Sequence, residues 1–213
     1  MQLTQDVIAQ LSELPTGNVA DSCPAPCVMD SAIQALDPTS HVIGRALPVR
    51  CSPRDNLALY QGIDAARPGD VLVFDVAGFT QGGHFGDMMA TACKVKGIAG
   101  AVIDGSCRDR QDIVGMGFPV FARACCPATT VKETLATPGA TITCGGVTVR
   151  KGDLVIGDCD GVVVVPAELE DEVIAHATEK HEREGRIRER LLAGEPILEI
   201  YGFDALIARK RSA

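Results

Sequence analysis

The sequence predicts an α/β fold built around a mainly parallel β-sheet. Two apolar runs, at residues 71–74 and 101–103, are separated by a glycine-rich loop at 82–86 and a helix-like run at 88–97. A third apolar run follows at 118–121. Strands that alternate with helical segments in this way are typical of parallel sheets.

The flanking segments give the expected order of the other elements. The apolar stripe at residues 3, 7, 8, 11 and 14 predicts a first helix over 3–14. We also expect a short helix at 18–22, a strand over 42–50 with a bulge at Gly44, a helix over 57–66, β runs at 140–143, 146–149, 153–156 and 161–165, and one long helix over 166–194. Because no linker or low-complexity segment interrupts the chain, we expect one domain over 1–213.

The second half of the long predicted helix has almost no apolar face. A helix of that kind is either solvated or lies against a partner subunit, and the sequence leaves both interpretations open.

Composition limits the classes of partner. The chain has 213 residues and a formal net charge of −8, which argues against a nucleic-acid partner. No apolar run approaches the roughly 18 residues of a membrane helix, and the N-terminus lacks the pattern of a signal peptide. We therefore expect a cytoplasmic protein with no membrane partner.

The nine cysteines of the chain include no C-x-x-C pair. We therefore expect free thiols, and neither disulfides nor zinc ligands.

The candidate site is the stretch from Gly82 to Arg110. Ligands of parallel sheets bind beyond the carboxyl ends of the strands, and both loops of this stretch end in charged residues. Asp87 closes the first loop, at the start of a helix, where free backbone amides can hold an anion. Arg108 and Asp109 follow an expected turn at Asp104-Gly105. Arg108 offers a planar donor for a carboxylate or an enolate oxygen, and Asp109 offers oxygen to a hard cation such as Mg²⁺.

These residue types also have simpler interpretations. Asp87 alone is consistent with a charge at a helix N-terminus, and Arg108 and Asp109 with a surface ion pair. The glycine loop lacks the Lys-Ser/Thr of a phosphate-binding loop. Lys94 lies on the same helical face as Asp87 but roughly 10 Å further along the axis, which disfavours a lysine Schiff base. His84 is a candidate base, although a lone loop histidine usually has no catalytic role.

The arrangement of Asp87, twenty intervening residues and Arg108-Asp109 resembles the D-x20-R-D signature of the RraA-like family. Its class II pyruvate aldolases act on 4-hydroxy-4-methyl-2-oxoglutarate and 4-carboxy-4-hydroxy-2-oxoadipate. The resemblance covers nearly the whole chain and includes residues 55–57, 68–73, 100–105, 117–121 and 157–166. It implies the family's swivelling β/β/α-type fold. The sequence departs from many relatives at His84-Phe85, where a tryptophan is common, and at Lys151, where a proline is common.

The resemblance also implies roles for individual residues. Asp109 would bind Mg²⁺ or Mn²⁺ directly, and Asp87 would hold a metal-bound water. Arg108 would bind the keto oxygen and stabilise the pyruvate enolate. The amides of Gly86, Asp87, Met88 and Met89 would bind the pyruvyl carboxylate, with Asn56 as a weaker substrate-binding candidate. Glu184 from the long helix of the partner subunit would reach the water shell of the metal.

The implied activity is metal-dependent cleavage of a 4-hydroxy-2-oxo di- or tricarboxylic acid to pyruvate and a 2-oxo acid, with oxaloacetate decarboxylation as a side activity. The implied assembly is a homotrimer or a hexamer of two trimers. Two alternatives stay open, a non-catalytic regulator of ribonuclease E activity and another metal-dependent lyase or decarboxylase on the same fold. Four arginines are candidates for binding the distal carboxylates of the substrate: Arg45, Arg50, Arg54 and Arg123.

Overall fold

A seven-stranded mixed sheet forms the centre of the computed structural model, which describes residues 3–212. The described residues contain nine strands in all, which are β1 (Gln34–Ala35), β2 (Val42–Arg50), β3 (Asp70–Asp75), β4 (Gly100–Cys107), β5 (Val120–Cys125), β6 (Ile142–Cys144), β7 (Val147–Val149), β8 (Leu154–Asp158) and β9 (Gly161–Val165). The sheet order is β1-β5-β4-β3-β2-β8-β9, and β6 and β7 form a separate hairpin.

The helices surround this sheet. They are α1 (Gln5–Ser12), α2 (Thr16–Ser22), α3 (Leu57–Ala65), α4 (Asp87–Lys96), α5 (Arg110–Gly115), α6 (Glu170–Leu192), α7 (Ile197–Tyr201) and α8 (Phe203–Arg211). A 3₁₀ turn at Ala167–Leu169 precedes α6, so the predicted helix over 166–194 is one regular helix with an irregular first turn. Among the described residues, no helix is long and apolar enough to cross a membrane.

The four central strands, β2 to β5, are parallel, as the alternation of apolar runs and helices predicts. β1, β8 and β9 are antiparallel additions at the two edges. All eight residues of β4 are buried, and so are five of the six residues of β3. Strands of a parallel sheet are covered on both faces, which explains why these runs are continuously apolar.

Three apolar clusters hold the layers together. Side chains of α3, α4 and α5 cover one face of the parallel strands, around Phe74, Phe85 and Ile103. The β6–β7 hairpin covers the other face, around Phe121 and Val149. Helices α1, α2 and α6 pack on β8 and β9 in a third cluster. Because β3, β4 and β5 are parallel, their carboxyl ends lie at one edge of the sheet.

The predicted inner stripe of the long helix is confirmed. Val173 and Ala177 are fully buried, and Leu169 and Ile174 pack against the same cluster. The later residues of α6 are half-buried or exposed, as their polar composition predicts.

Two local predictions are wrong, and both concern glycines in strands. The register of β2 with β8 runs without interruption from Val42 to Arg45, through Gly44, so no bulge occurs there. Gly44 is required for space, since a Cβ atom would lie 2.5 Å from the carbonyl oxygen of Gly69. The Asp104-Gly105 pair does not form a turn but lies within β4. The irregularity in the sheet occurs there, between Ile103 and Ser106.

Two glycine-to-alanine variants, compared with each other, test the packing at β2. Gly44→Ala places a methyl group against the backbone of Gly69 and the side chain of Val71. Because a backbone carbonyl cannot move aside easily, we expect a loss of about 1–3 kcal/mol in the free energy of unfolding. The control is Gly17→Ala, where nothing lies within 4 Å of the added Cβ and helix propensity predicts a gain of up to about 1 kcal/mol. Urea denaturation of both variants makes the comparison, and equal stabilities would contradict the close approach.

Candidate active site

Backbone pairing joins the glycine loop to the end of β4. Phe85 and Cys107 form a parallel bridge. The amide of Arg108 donates to the carbonyl oxygen of Phe85 at 2.8 Å, and the amide of His84 donates to that of Ser106 at 3.1 Å. The loop therefore pairs with the last two residues of β4 and with Arg108, which follows them. This pairing brings the start of α4 beside Arg108 and Asp109.

Gly86 lies directly against the carboxylate of Asp109. A Cβ atom on Gly86 would come within 2.6 Å of Asp109 Oδ2, and the amide of Asp87 lies 3.4 Å from the same oxygen. Gly86 is the N-cap of α4 and provides no capping side chain. Apart from the Asp87 amide, which donates to Asp109 Oδ2, the amides of the first turn of α4 are therefore available to an anion.

Asp109 has a backbone conformation that is uncommon for a residue with a side chain. Its φ of 56° and ψ of 37° lie in the left-handed region, which costs on the order of 1 kcal/mol for a residue other than glycine. Its side chain is 33% exposed, and Oδ2 lies 3.3 Å from Arg108 Nε. Strain of this kind persists where the surroundings fix it, often at functional sites. Here the conformation directs a partly exposed carboxylate towards the α4 N-terminus.

Arg108 separates two small cavities. Its side chain is 47% exposed. On one side lies a cavity of about 100 Å³, lined by Asn56, Tyr60, Gly83, His84, Gly86, Asp87, Met88, Met89 and Arg108. On the other side lies a cavity of about 270 Å³, lined by Arg108, Asp109, Cys125, Cys126 and Pro127. The guanidinium group can therefore reach a ligand in either cavity.

His84 and Asn56 form the inner wall of the smaller cavity. Asn56 Nδ2 donates to the carbonyl oxygen of His84 at 3.1 Å, and His84 Nδ1 lies 3.3 Å from the carbonyl oxygen of Ser106. Burial lowers the pKa of His84, against the opposing effects of the Ser106 carbonyl and the charge of Asp55. The imidazole is therefore neutral at pH 7.

Asp55 fixes the chain on either side of this wall. Its carboxylate accepts hydrogen bonds from the amides of Leu57, Glu133 and Thr134 at 2.7–2.9 Å. Burial tends to raise the pKa of Asp55, but these hydrogen bonds outweigh it and lower the pKa below its ordinary value. The carboxylate therefore holds the segment after β5 against the start of α3, next to Asn56.

The structure brings most of the predicted site residues together. Six of them line the smaller cavity: Gly86, Asp87, Met88, Met89, Asn56 and Arg108. Asp109 lies on the other side of Arg108. Lys94 donates to the carbonyl oxygen of Met116 and is not among the residues that line either cavity.

Glu184 is separate from this group within its own chain. Its carboxylate accepts a hydrogen bond from Asn18 Nδ2 at 3.1 Å and lies 3.8 Å from Lys180 Nζ. Its role at the metal stays a prediction that requires a second copy of the chain.

Sequence reasoning missed the far wall of the larger cavity, which consists of Cys125, Cys126 and Pro127. A signal was available, because these residues follow β5 as Arg108 follows β4, and neighbouring parallel strands end at one edge of a sheet. Cys125 Sγ lies 3.6 Å from Cys107 Sγ. All nine cysteines are free thiols, and five of them are buried.

Three of the four arginines that are candidates for binding the distal carboxylates of the substrate already pair with carboxylates of the protein. Arg123 donates to Asp104 and, at 2.8 Å, to Asp30. Arg45 forms an ion pair with Glu170. Arg50 Nε lies 3.5 Å from Asp75 Oδ2. Arg54 is exposed and forms no ion pair within the described residues.

Two other features of the surface do not resemble the predicted site. Asp158, Cys159 and Asp160 cluster at the β8–β9 turn, but the Asp158 carboxylate accepts hydrogen bonds from the Thr16 amide, the Thr16 hydroxyl and the Asp160 amide. It therefore anchors the start of α2. A cavity of about 560 Å³ between α1 and α6 is larger than the two beside Arg108. Its lining includes one candidate substrate-binding arginine, Arg45, which forms an ion pair with Glu170, and none of the predicted metal ligands.

Comparison with known proteins identifies the family. The family model described as RraA-like, Aldolase/RraA, matches residues 16–164. The chain belongs to the RraA-like family. The matched segment contains the glycine loop, the start of α4 and the Arg108-Asp109 pair, so the predicted resemblance is confirmed.

Relatives of this RraA-like protein have different descriptions. It is 35% identical over 188 residues to a Halalkalibacterium halodurans protein named "Putative 4-hydroxy-4-methyl-2-oxoglutarate aldolase", with 88% of this chain and 89% of the relative covered. An uncharacterized protein from Pseudomonas syringae has a similar structure, with a TM-score of 0.82, 25% identity and coverage of 94% and 99%. RraAS2 of Streptomyces coelicolor, described as an unusual member of the RNase ES inhibitor RraA protein family, has a TM-score of 0.78, 28% identity and coverage of 88% and 98%. The expected RraA-like fold is confirmed.

Replacing Arg123 tests whether it is structural. Arg123→Met leaves Asp104 buried without its counterion, so we expect the free energy of unfolding to fall by about 3 kcal/mol. The control is Arg150→Met, since the side chains of Arg150 and its partner Glu168 are 53% and 66% exposed and a surface pair contributes under about 1 kcal/mol. Thermal and urea denaturation measure both effects. An Arg123→Met variant of unchanged stability would contradict the structural assignment and favour a substrate-binding role.

Proposed function

We propose that this RraA-like protein cleaves a 4-hydroxy-2-oxo di- or tricarboxylic acid into pyruvate and a second 2-oxo acid, with Mg²⁺ or Mn²⁺ as cofactor. Candidate substrates are 4-hydroxy-4-methyl-2-oxoglutarate and 4-carboxy-4-hydroxy-2-oxoadipate. The observation that carries the proposal is the contact between Gly86-Asp87 and the Arg108-Asp109 pair. The name of the H. halodurans relative supports the same reaction class.

The surroundings of Asp109 fit a hard divalent cation. Its Oδ1 makes no hydrogen bond within the described residues, and its Oδ2 has only the long contacts with Asp87 and Arg108. The missing side chain at Gly86 lets the Asp109 carboxylate lie against the start of α4. Mg²⁺ often uses one or two protein carboxylates and keeps several waters. Asp109 would hold the cation directly, and Asp87 and Glu184 of the partner subunit would hold it through water.

A bound divalent cation supplies Lewis-acid stabilisation of the charge that develops on the keto oxygen. The residues of the chain supply the other parts of the site. Arg108 donates hydrogen bonds to that oxygen and stabilises the enolate, because its guanidinium is exposed beside Asp109. The amides of Gly86 to Met89, at the uncapped start of α4, bind the pyruvyl carboxylate.

This arrangement matches the needs of a retro-aldol reaction. The C4 hydroxyl oxygen loses its proton to an acceptor in the cavity and becomes the carbonyl oxygen of the second 2-oxo acid. The C3–C4 bond breaks at the same time, and its electron pair forms the enolate of pyruvate. Protonation of C3 then gives pyruvate. Decarboxylation of oxaloacetate forms the same enolate, so we expect it as a side activity. Relative rates on hydroxy acids and on oxaloacetate distinguish an aldolase from a decarboxylase on this fold.

The role of Glu184 requires an oligomer. A homotrimer, or a hexamer of two trimers, would place Glu184 of the partner subunit at the site. In its own chain the half-buried carboxylate of Glu184 contacts Asn18 and Lys180 on the polar side of α6. These contacts fix the side chain before any partner binds.

The similarity to RraAS2 favours one alternative function, a non-catalytic regulator of ribonuclease E activity. A regulator of that kind needs no enolate chemistry. Exchange of the methyl protons of pyruvate therefore distinguishes the two functions, since this exchange requires an enolate.

Replacing Asp109 tests the proposed metal site. We expect the wild-type protein with Mg²⁺ to exchange the methyl protons of pyruvate in deuterated water, and Asp109→Asn to reduce the rate on the order of 100- to 1000-fold. The matched control is Asp112→Asn, which removes an exposed carboxylate three residues later on α5 and should change the rate by less than about twofold. Proton NMR follows the exchange. A wild-type protein without exchange, indistinguishable from Asp109→Asn, would favour the regulator.

Replacing Gly86 tests the space beside Asp109. The added Cβ of Gly86→Ala displaces Asp109 Oδ2, so we expect the Mg²⁺ concentration for half-maximal exchange to rise by about tenfold or more. Gly82→Ala is the control, since its nearest neighbour is the methyl group of Thr130 at 3.2 Å. A chelator should stop the exchange in every variant. Equal Mg²⁺ dependence of wild type and Gly86→Ala would contradict the assigned position of the cation.

A further inference from the structure

Two buried acceptors in the wall of the smaller cavity have no hydrogen-bond partner. Within residues 3–212, Asn56 Oδ1 and His84 Nε2 are the buried side-chain nitrogen and oxygen atoms without one. Asn56 is 7% exposed and His84 is 1% exposed. Both residues line the same cavity of about 100 Å³. Buried polar atoms are nearly always paired, and exceptions require an explanation.

The surrounding contacts make both atoms acceptors. Asn56 Nδ2 donates to the His84 carbonyl oxygen, which leaves the amide oxygen unpaired. His84 Nδ1 faces the Ser106 carbonyl oxygen at 3.3 Å. A carbonyl only accepts, so the proton of the neutral ring is on Nδ1 and Nε2 presents a lone pair. A group that donates hydrogen bonds would therefore satisfy both atoms.

The chemistry of the proposed substrates identifies the donor. Their ionised carboxylates and keto oxygen are all acceptors, and these groups match Arg108 and the amides at the start of α4. Only the C4 hydroxyl group can donate. A ligand ammonium group is a poorer match, because the neighbouring guanidinium and the helix N-terminus favour negative charge.

We propose that His84 and Asn56 form a hydroxyl-binding subsite, in which His84 Nε2 accepts the hydrogen bond of the substrate C4 hydroxyl group. This inference rests on the proposed function. Asn56 positions His84 through its hydrogen bond to the His84 carbonyl oxygen, and its Oδ1 accepts a hydrogen bond from a water in the cavity. The hydroxyl is then polarised along the direction in which its proton leaves when the C3–C4 bond breaks.

This subsite predicts a difference between substrates. Oxaloacetate and pyruvate have no C4 hydroxyl group, so neither reaction uses the acceptor on His84. Sites built to pair with a hydroxyl group discriminate strongly against analogues that lack one. Loss of the acceptor should therefore affect hydroxy-acid cleavage and leave the other two reactions nearly unchanged.

The experiment compares three reactions of His84→Phe with those of the wild-type protein in Mg²⁺. We expect kcat/KM for 4-hydroxy-4-methyl-2-oxoglutarate to fall by about 100-fold, with oxaloacetate decarboxylation and pyruvate proton exchange within about threefold. His84→Gln, which keeps a side-chain acceptor, should recover part of the loss. His176→Phe, which replaces an exposed histidine on α6, is the control and should change none of the rates.

Equal losses in all three reactions of a folded His84→Phe variant, or no loss in any, would overturn the subsite. If His84→Phe does not fold, two constants of the wild-type protein test the subsite. KM for the 4-hydroxy-2-oxo diacid should be at least about tenfold lower than the inhibition constant of the 2-oxo diacid without the hydroxyl group, and equal values would overturn the subsite. Absence of pyruvate exchange in the wild-type protein would instead refute the proposed function itself.

Discussion

The pairing between the glycine loop and the end of β4 determines the geometry of the whole site. Two backbone hydrogen bonds, from Arg108 to Phe85 and from His84 to Ser106, pair the loop with the last residues of β4. Phe85 is fully buried among Phe74 and Phe118, which anchors the loop from the other side. A loop held in this way cannot move the α4 N-terminus independently of Arg108 and Asp109. The amides at the start of α4 and the charged side chains are therefore held in one arrangement, as the proposed catalysis requires.

Close packing, one strained residue and one buried ion pair surround this pairing. Gly86 is needed because Asp109 occupies the space of a side chain, and Asp109 has a left-handed conformation at the start of α5. Asp104, in the irregular part of β4, is fixed by Arg123 and by the amide of Gly145. A bulge-like irregularity can redirect the residues that follow it. The charged side chains thus rest on a rigid base whose own charges are paired.

The sequence was sufficient to predict the parallel strands, the start of α4 and the grouping of Asp87 with Arg108 and Asp109. These predictions depend on periodicity and on the rule that loops at strand ends meet at one edge. The Asp104-Gly105 pair was misassigned because it is chemically a typical turn sequence, and only the β3–β4 and β4–β5 registers show that it is in a strand. The pairing of Arg123 with Asp30 spans 93 residues, and local patterns do not predict such a contact. The unpaired atoms of Asn56 and His84 were also inaccessible to sequence reasoning, since burial and hydrogen bonding are properties of the folded chain.

The most direct test of this account is a crystal structure of the protein grown with Mn²⁺ and pyruvate, with the metal located by its anomalous scattering. The account predicts one strong peak within about 2.0–2.3 Å of an Asp109 carboxylate oxygen, with the pyruvate carboxylate at the first-turn amides of α4 and its keto oxygen beside Arg108. A peak at the Asp158–Asp160 turn with none at Asp109 would contradict it.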